Sequence, residues 1–247
     1  MAELTINMGG YQPPTSVHNR AAEVFGKELK DRLGDRVEFN LDGNMPESTG
    51  CRADDLPKMV DKGDLTMCYF ASSYLTENVP EMGIFDLPFV VDSREKAYAA
   101  LDGELGDLLK KKYLETTGWR VLGFWDNGFR HFTNSKQAMR TPSDCEGMSV
   151  RSMNSELHQE FFRLLGMDPM YVDVSDLVEA AKTGKLDAQE NPLTNTYRFG
   201  THKYHRHITL TGHFFGASLV LVNNDTYESW PEDVQQAVQD SVKIATE

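Results

Sequence analysis

Apolar positions along this chain of 247 residues recur with two periods that take turns. Leu4, Ile6 and Met8 alternate with polar residues as in a strand, and Gly9-Gly10-Tyr11-Gln12-Pro13-Pro14 turns the chain just past its end. From Val17 to Leu33 the spacing becomes helical, with Ala21, Val24, Phe25 and Leu29 on one face and Gly34 as the stop. Val37 to Leu41 predicts a strand, Asp42 to Gly50 a polar loop, Asp54 to Lys62 a helix, and Leu65 to Phe70 an apolar strand running into Ala71-Ser72-Ser73-Tyr74. Two successive strand-helix-strand units imply parallel pairing with right-handed crossovers. Val79 to Phe89 is apolar and broken by proline, which predicts a packed irregular segment, and Ser93 to Leu101 and Leu105 to Thr117 are amphipathic helices. Trp119 to Trp125 and Phe129 to Thr133 read as two strands parted by the turn signal Asp126-Asn127-Gly128. Late in the chain, His207 to Thr211 and Leu219 to Val222 are predicted as separate strands, and Pro231 to Ala245 as an amphipathic helix.

The stretch from Thr141 to Pro192 carries the most information. Thr141-Pro142-Ser143-Asp144 has the N-cap and first-turn proline of a short helical turn, Gly147 stops it, and Met148 to Arg151 is a strand that ends in a guanidinium. Ser155 to Leu165 is a helix, Met170 to Val172 a strand, Ser175 to Thr183 a helix, and Leu186 to Asn191 a strand closed by Pro192. In sheets of this rhythm ligands bind at the carboxyl ends of strands, where Arg151 and Asn191 stand. The whole layout predicts an α/β protein of two lobes, each a mainly parallel sheet flanked by helices, with several crossovers and a ligand cleft between the lobes.

Composition narrows the function. A net charge of -13 argues against nucleic acid or an anionic membrane as partner. No apolar run approaches the ~18 residues that a membrane span needs. Met1-Ala2-Glu3 leads straight into the first strand with neither a basic nor an apolar leader region, so either the protein is cytoplasmic or a signal peptide has been removed. Cys51, Cys68 and Cys145 lack metal or redox spacing, and one at least must remain unpaired. His202, His205 and His207 lack the same-face spacing of a zinc pair and have no Cys or carboxylate to complete a tetrahedron, so no metal and no cofactor is expected. No nucleophile elbow or phosphate-binding glycine loop is present, which leaves a hydrolase-like enzyme as the minor alternative.

Four segments carry a resemblance: Gly128-Phe-Arg-His-Phe-Thr-Asn134, Arg140 through Arg151, Thr183 through Leu193 with its Gln189-Glu190-Asn191-Pro192, and Leu210-Thr-Gly-His213. In this order they resemble the periplasmic solute-binding proteins of TRAP transporters, in the C4-dicarboxylate-binding (DctP-like) family. The resemblance implies a periplasmic-binding-protein-like fold with a hinge. Lobe I would be residues 2–126 plus 212–247, and lobe II residues 127–211. It also implies a periplasmic location with the signal peptide removed, capture of a small organic acid, lobe closure around it, and delivery to the membrane permease subunits. Relatives continue past the point equivalent to Glu247 into a long helix across both lobes, which is missing here.

Arg151 is the first candidate ligand-binding residue, because its planar fork can give a carboxylate two parallel charge-assisted hydrogen bonds. Family likeness makes it the carboxylate clamp, makes Arg130 a second positive contact, and places His213 in support near the cleft. Asn191 offers donors and an acceptor at a strand end, or else caps the helix that starts at Pro192. Tyr11, Tyr69, Phe70, Tyr74 and Trp125 fall at predicted strand ends of the first lobe beside Ser72, where core packing competes with ligand contact. The resemblance implies acidic or amide side chains in sugar-acid binders where this chain has Tyr11, Ala53 and Ala71, and a cleft aromatic where it has Val174. The expected ligand is therefore an aromatic or branched monocarboxylate, with a C4-dicarboxylate or a sugar acid as the alternative.

Overall fold

The alternating periods are realised as eight strands and ten α-helices among residues 3–247, the part that the computed structural model describes. In chain order these are β1 (Leu4–Gly9), α1 (Val17–Leu33), β2 (Val37–Asp42), α2 (Met45–Thr49), α3 (Leu56–Lys62), β3 (Met67–Ala71), α4 (Arg94–Leu101), α5 (Glu104–Thr117) and β4 (Trp119–Asn134). They continue with β5 (Ser149–Ser152), α6 (Glu156–Leu164), β6 (Asp168–Tyr171), α7 (Val174–Lys182), β7 (Ala188–Pro192), α8 (Leu193–Phe199), β8 (His207–Asn223), α9 (Asn224–Glu228) and α10 (Glu232–Thr246). Residue 2, where the first lobe was expected to begin, lies outside the described residues. The chain divides into two compact units. Unit 1 holds the residues up to Ala71, Ala99–Asp126 and Ser218–Glu247, and unit 2 holds Ser72–Tyr98 and Asn127–Ala217.

Unit 1 is built on β1, which pairs in parallel with β2 from Leu4↔Val37 to Gly9↔Asp42 and with β3 at Met8↔Met67. β3 pairs antiparallel with the end of β8, from Met67↔Val222 to Ala71↔Ser218. Ser16 caps α1 by accepting from the Asn19 amide, and the helix buries Ala22, Phe25 and Leu29. α10 buries Val234, Ala237, Val238 and Val242 and packs on α1, where Arg32 and Arg36 reach Asp240 and Asp233 at 3.2 and 2.6 Å.

His18, on the first turn of α1, is 1% exposed, stacks on Tyr69 at a centroid distance of 5.2 Å, and has no hydrogen-bond partner at either ring nitrogen. Burial therefore pushes its pKa from 6.5 down to about 4, against a smaller upward pull from Asp126. In the unfolded chain this imidazole takes up a proton near pH 6.5, whereas in the folded protein it does so only near pH 4. Stability should thus fall as pH drops between those values, by up to ~3 kcal/mol from this residue. Chemical denaturation at pH 7 and pH 4.5 should show the loss, and His18→Phe, which keeps a flat ring on Tyr69, should reduce it.

Unit 2 carries β4–β7–β5–β6 in hydrogen-bonded order. β4 and β7 are antiparallel, with Phe132↔Glu190 and Arg130↔Pro192, while β5 is parallel to both β6 and β7. Phe132, Val150, Phe162, Ala188 and Phe214 form its main core, and Leu177 and Leu186 anchor a second cluster under α7.

The structure departs from the sequence reading in four places. β4 and β8 are each one long strand where two were expected, with Gly128 (φ 101°) and Gly212 (φ 57°) inside the extended runs. Both strands pair antiparallel with a neighbour, so the pairing is less uniformly parallel than the rhythm implied. The polar loop after β2 contains the short helix α2. Residues 72–98 and 212–217, read as lobe I, cluster with unit 2, to which Ser73, Tyr74 and Asp86 are tied by the hydrogen bonds described below.

Candidate functional site: a buried arginine pair in unit 2

Antiparallel register brings Arg130 and Glu190 onto one face of the β4–β7 ladder, one diagonal step apart. Both are buried, at 1% and 0% exposure. Arg130 Nε donates to Glu190 Oε2, and Nη2 donates to Oε1 at 2.7 Å and to the Glu190 carbonyl at 3.0 Å. Burial alone would raise the Glu190 carboxyl, but the Arg130 charge and the His213 contact hold it well below the usual carboxylate range. His213 Nε2 faces Glu190 Oε2 at 3.5 Å, while its Nδ1 meets Thr211 Oγ1 at 2.6 Å and its ring stacks on Phe132. Arg130, expected to meet a ligand, is thus paired with Glu190 inside the protein, with His213 beside the pair.

Arg151 contrasts with it. It lies on β5, next to the strand's carboxyl end, and is 1% exposed. Its Nε donates to the Val172 carbonyl at 2.8 Å and its Nη2 to the Tyr74 hydroxyl at 3.2 Å, both neutral acceptors. Among the described residues no carboxylate lies within ion-pair distance of it. A buried guanidinium without a counter-charge is costly, and an arriving anion relieves that cost.

Asn191 is 4% exposed and does not cap α8, whose N-cap is Pro192 without a side-chain bond. Its Nδ2 donates to Gln189 Oε1 at 2.6 Å and its Oδ1 faces Arg130 Nη2 at 3.5 Å, so the amide orientation is fixed from both ends. Gln189 in turn donates to Thr133 Oγ1 at 2.6 Å. Ser72 is buried with no hydrogen-bond partner on its hydroxyl, and Val174 sits buried at the first position of α7, beside its Asp173 cap.

Tyr11, Tyr69, Phe70 and Trp125 belong to unit 1 and pack on one another: Tyr11 lies 5.7 Å from Tyr69 and 5.6 Å from Phe70, and Tyr69 lies 5.9 Å from Trp125. The Tyr69 hydroxyl accepts from the Gln12 amide and bonds to Asn19 Oδ1 at 2.9 Å, which pins the loop after β1. Gly10 allows this approach, because a Cβ there would lie 2.4 Å from the Tyr69 ring. These rings thus pack on one another within unit 1.

Sequence reasoning passed over Ser73, Asp86 and His158. Ser73 Oγ donates to Asp86 Oδ1 at 2.8 Å, and the same oxygen faces His158 Nε2 at 2.9 Å. In a Ser-His-Asp triad the imidazole sits on the serine hydroxyl, whereas here Asp86 stands between Ser73 and His158. Among the described residues, no three His, Cys, Asp or Glu side chains are placed to hold a metal ion, and no helix is long and apolar enough to cross a membrane.

The chain thus holds two α/β units, the second with one charge-matched and one unmatched arginine buried in it. The profile of the bacterial extracellular solute-binding proteins, family 7 (DctP), matches residues 8–247, and the chain belongs to that family, the periplasmic solute-binding proteins of TRAP transporters. It is 28% identical to the 2,3-diketo-L-gulonate-binding periplasmic protein YiaO of Escherichia coli, over 99% of this chain and 74% of that one. Among solved structures it is similar to a TRAP periplasmic solute-binding protein from Sulfurospirillum deleyianum with bound succinate, at 30% identity and a TM-score of 0.92 over 100% of this chain and 78% of that one. A second, from Desulfovibrio salexigens with bound orotic acid, gives 25% identity and a TM-score of 0.91 over 98% of this chain and 76% of that one.

Proposed function

We propose that this protein captures a small organic monocarboxylate in the periplasm and hands it to the membrane permease of a TRAP transporter, with Arg151 as the carboxylate anchor. The observation that carries this reading is the buried Arg151 guanidinium with two neutral acceptors and no carboxylate partner. One uncompensated positive charge calls for one negative charge. Arg130 does not add a second, since Glu190 matches it. An aromatic or branched acid suits Val174, which heads α7 two residues after the carbonyl that holds Arg151, better than a polyhydroxylated one, because its side chain cannot hydrogen-bond a hydroxyl. Organic acids differ widely among relatives: a sugar-derived acid is named for YiaO, succinate and orotic acid for the two structures above. The relative with succinate favours the dicarboxylate alternative, in which Arg130 would have to be shared between Glu190 and the ligand.

A thermal-shift panel of mandelate, pantoate, succinate, malate and D-glucuronate separates these readings. A ligand present at 100 times its Kd stabilises by ~2.7 kcal/mol, an easily read shift. The largest shift is expected from mandelate or pantoate. Stabilisation by succinate and malate alone would establish the dicarboxylate reading, and no shift from any acid would remove the carboxylate assignment.

A further inference from the structure

The two buried arginines commit the same two nitrogens of the guanidinium to opposite ends. In each, Nε and Nη2 are consumed by the protein, but Arg130 gives them to a carboxylate and Arg151 gives them to a backbone carbonyl and a phenol. The first arrangement fixes the fork and cancels its charge. The second fixes the fork and leaves the charge intact. With Nε committed to the Val172 carbonyl, side-on docking of a carboxylate across Nε and Nη2 is closed. The end-on edge, formed by Nη1 and the second hydrogen of Nη2, remains for two parallel bonds.

A single bond at Nε would leave the fork free to swing about it, whereas a second bond at Nη2 fixes its plane. Tyr74 supplies that bond. It lies in the turn of residues 72–74 that follows β3 and is distant from Arg151 in sequence. A tyrosine suits this role because its hydroxyl accepts a hydrogen bond without bringing a negative charge, and burial raises its pKa further, against the pull of Arg151. An aspartate or glutamate at this position would occupy the arginine as Glu190 occupies Arg130.

We propose that Tyr74 is a positioning residue for carboxylate recognition: it locks the Arg151 fork with its end-on edge open and its charge unspent. The inference rests on Arg151 being the anchor, and a double-mutant cycle tests the two separately. The probe is whichever of mandelate, pantoate, succinate, malate and D-glucuronate binds the wild-type protein most tightly by calorimetry. Tyr74→Phe, which removes only the hydroxyl, should weaken binding about tenfold, the value of one charge-assisted hydrogen bond. In an Arg151→Lys background the same change should alter affinity by less than about twofold, because the fork it positions is gone.

Equal losses in both backgrounds, or no loss in the wild type, would overturn the role of Tyr74 while leaving Arg151 as the anchor. Arg151→Lys binding as tightly as wild type would overturn the anchor and Tyr74 with it. A measurement on the unaltered protein guards against a misfolded variant: nitrogen-15 NMR should show slow rotation of the Arg151 guanidinium before any ligand is added, and a freely rotating group would contradict the lock.

Discussion

Arg151→Lys is expected to bind its carboxylate almost as poorly as Arg151→Ala. A lysine keeps the charge but presents it as a point, without the paired, coplanar donors of the fork and without the Nε contact to the Val172 carbonyl. Losing a charge-assisted bidentate contact at a buried site costs on the order of 2–4 kcal/mol, or roughly a 30-fold to 1000-fold weaker Kd. Calorimetric titration of both variants checks this. For Arg151→Ala, stability should move the other way or hardly at all, because removing a buried charge that lacks a counter-ion relieves desolvation. Loss of binding together with equal or higher resistance to urea is therefore the expected signature. A variant that loses both would point to a structural role for Arg151.

Glu190→Gln should have the largest effect on stability of any single change in unit 2. It leaves Arg130 buried at 1% exposure with a neutral amide in place of its counter-ion, a change of the kind that costs about 3–5 kcal/mol. That is a large share of the ~5–15 kcal/mol by which domains are stable, so a strongly lowered urea midpoint is expected. Replacing both partners with apolar residues, as in Arg130→Met with Glu190→Leu, should recover much of the loss. The pair also sets an acid limit. Because the folded protein holds Glu190 well below the ordinary value of 4.5, its contribution is fully present above that pH and is lost as pH falls below it toward the folded value. Glu190→Gln should flatten the acid limb of the stability profile while lowering stability at pH 7, and a variant within 1 kcal/mol of wild type at pH 7 would show that the pair contributes little.

The two-unit α/β plan was legible from periodicity, since most helices and strands are bounded by the caps and glycines that the sequence displays. Gly34 and Gly63 stop α1 and α3, and Ser16 and Ser155 cap α1 and α6. What misled was local turn chemistry inside long strands. Asp126-Asn127-Gly128 carries a turn signal, yet β4 runs on through it, with Gly128 taking up the irregularity at φ 101° while Arg130 to Asn134 stay paired with β7. Cross-strand hydrogen bonding outweighed the local preference.

The site was legible in part, and the boundary has a physical cause. Arg151 could be found from a single strand, because a guanidinium at the end of an apolar run is conspicuous in one dimension. The matching of Arg130 by Glu190 depends on the β4–β7 register, which joins residues 60 positions apart and leaves no local trace. A usable signal did exist: an arginine and a glutamate each stood within a predicted strand, and charges buried there must be paired. The place of Tyr74, Asp86 and Ser73 in unit 2 had no such signal, because the segment 72–98 follows a strand of unit 1 and is assigned only by its contacts.

A crystal structure of the protein with its best-binding acid would decide the matter most directly. The carboxylate is expected end-on against Arg151, with its two oxygens about 2.7–2.9 Å from Nη1 and Nη2. Tyr74 and Val172 should keep their bonds to the guanidinium, and Arg130 should still be held by Glu190. A carboxylate bound elsewhere, with Arg151 left unengaged, would contradict the assignment of Arg151 as the anchor.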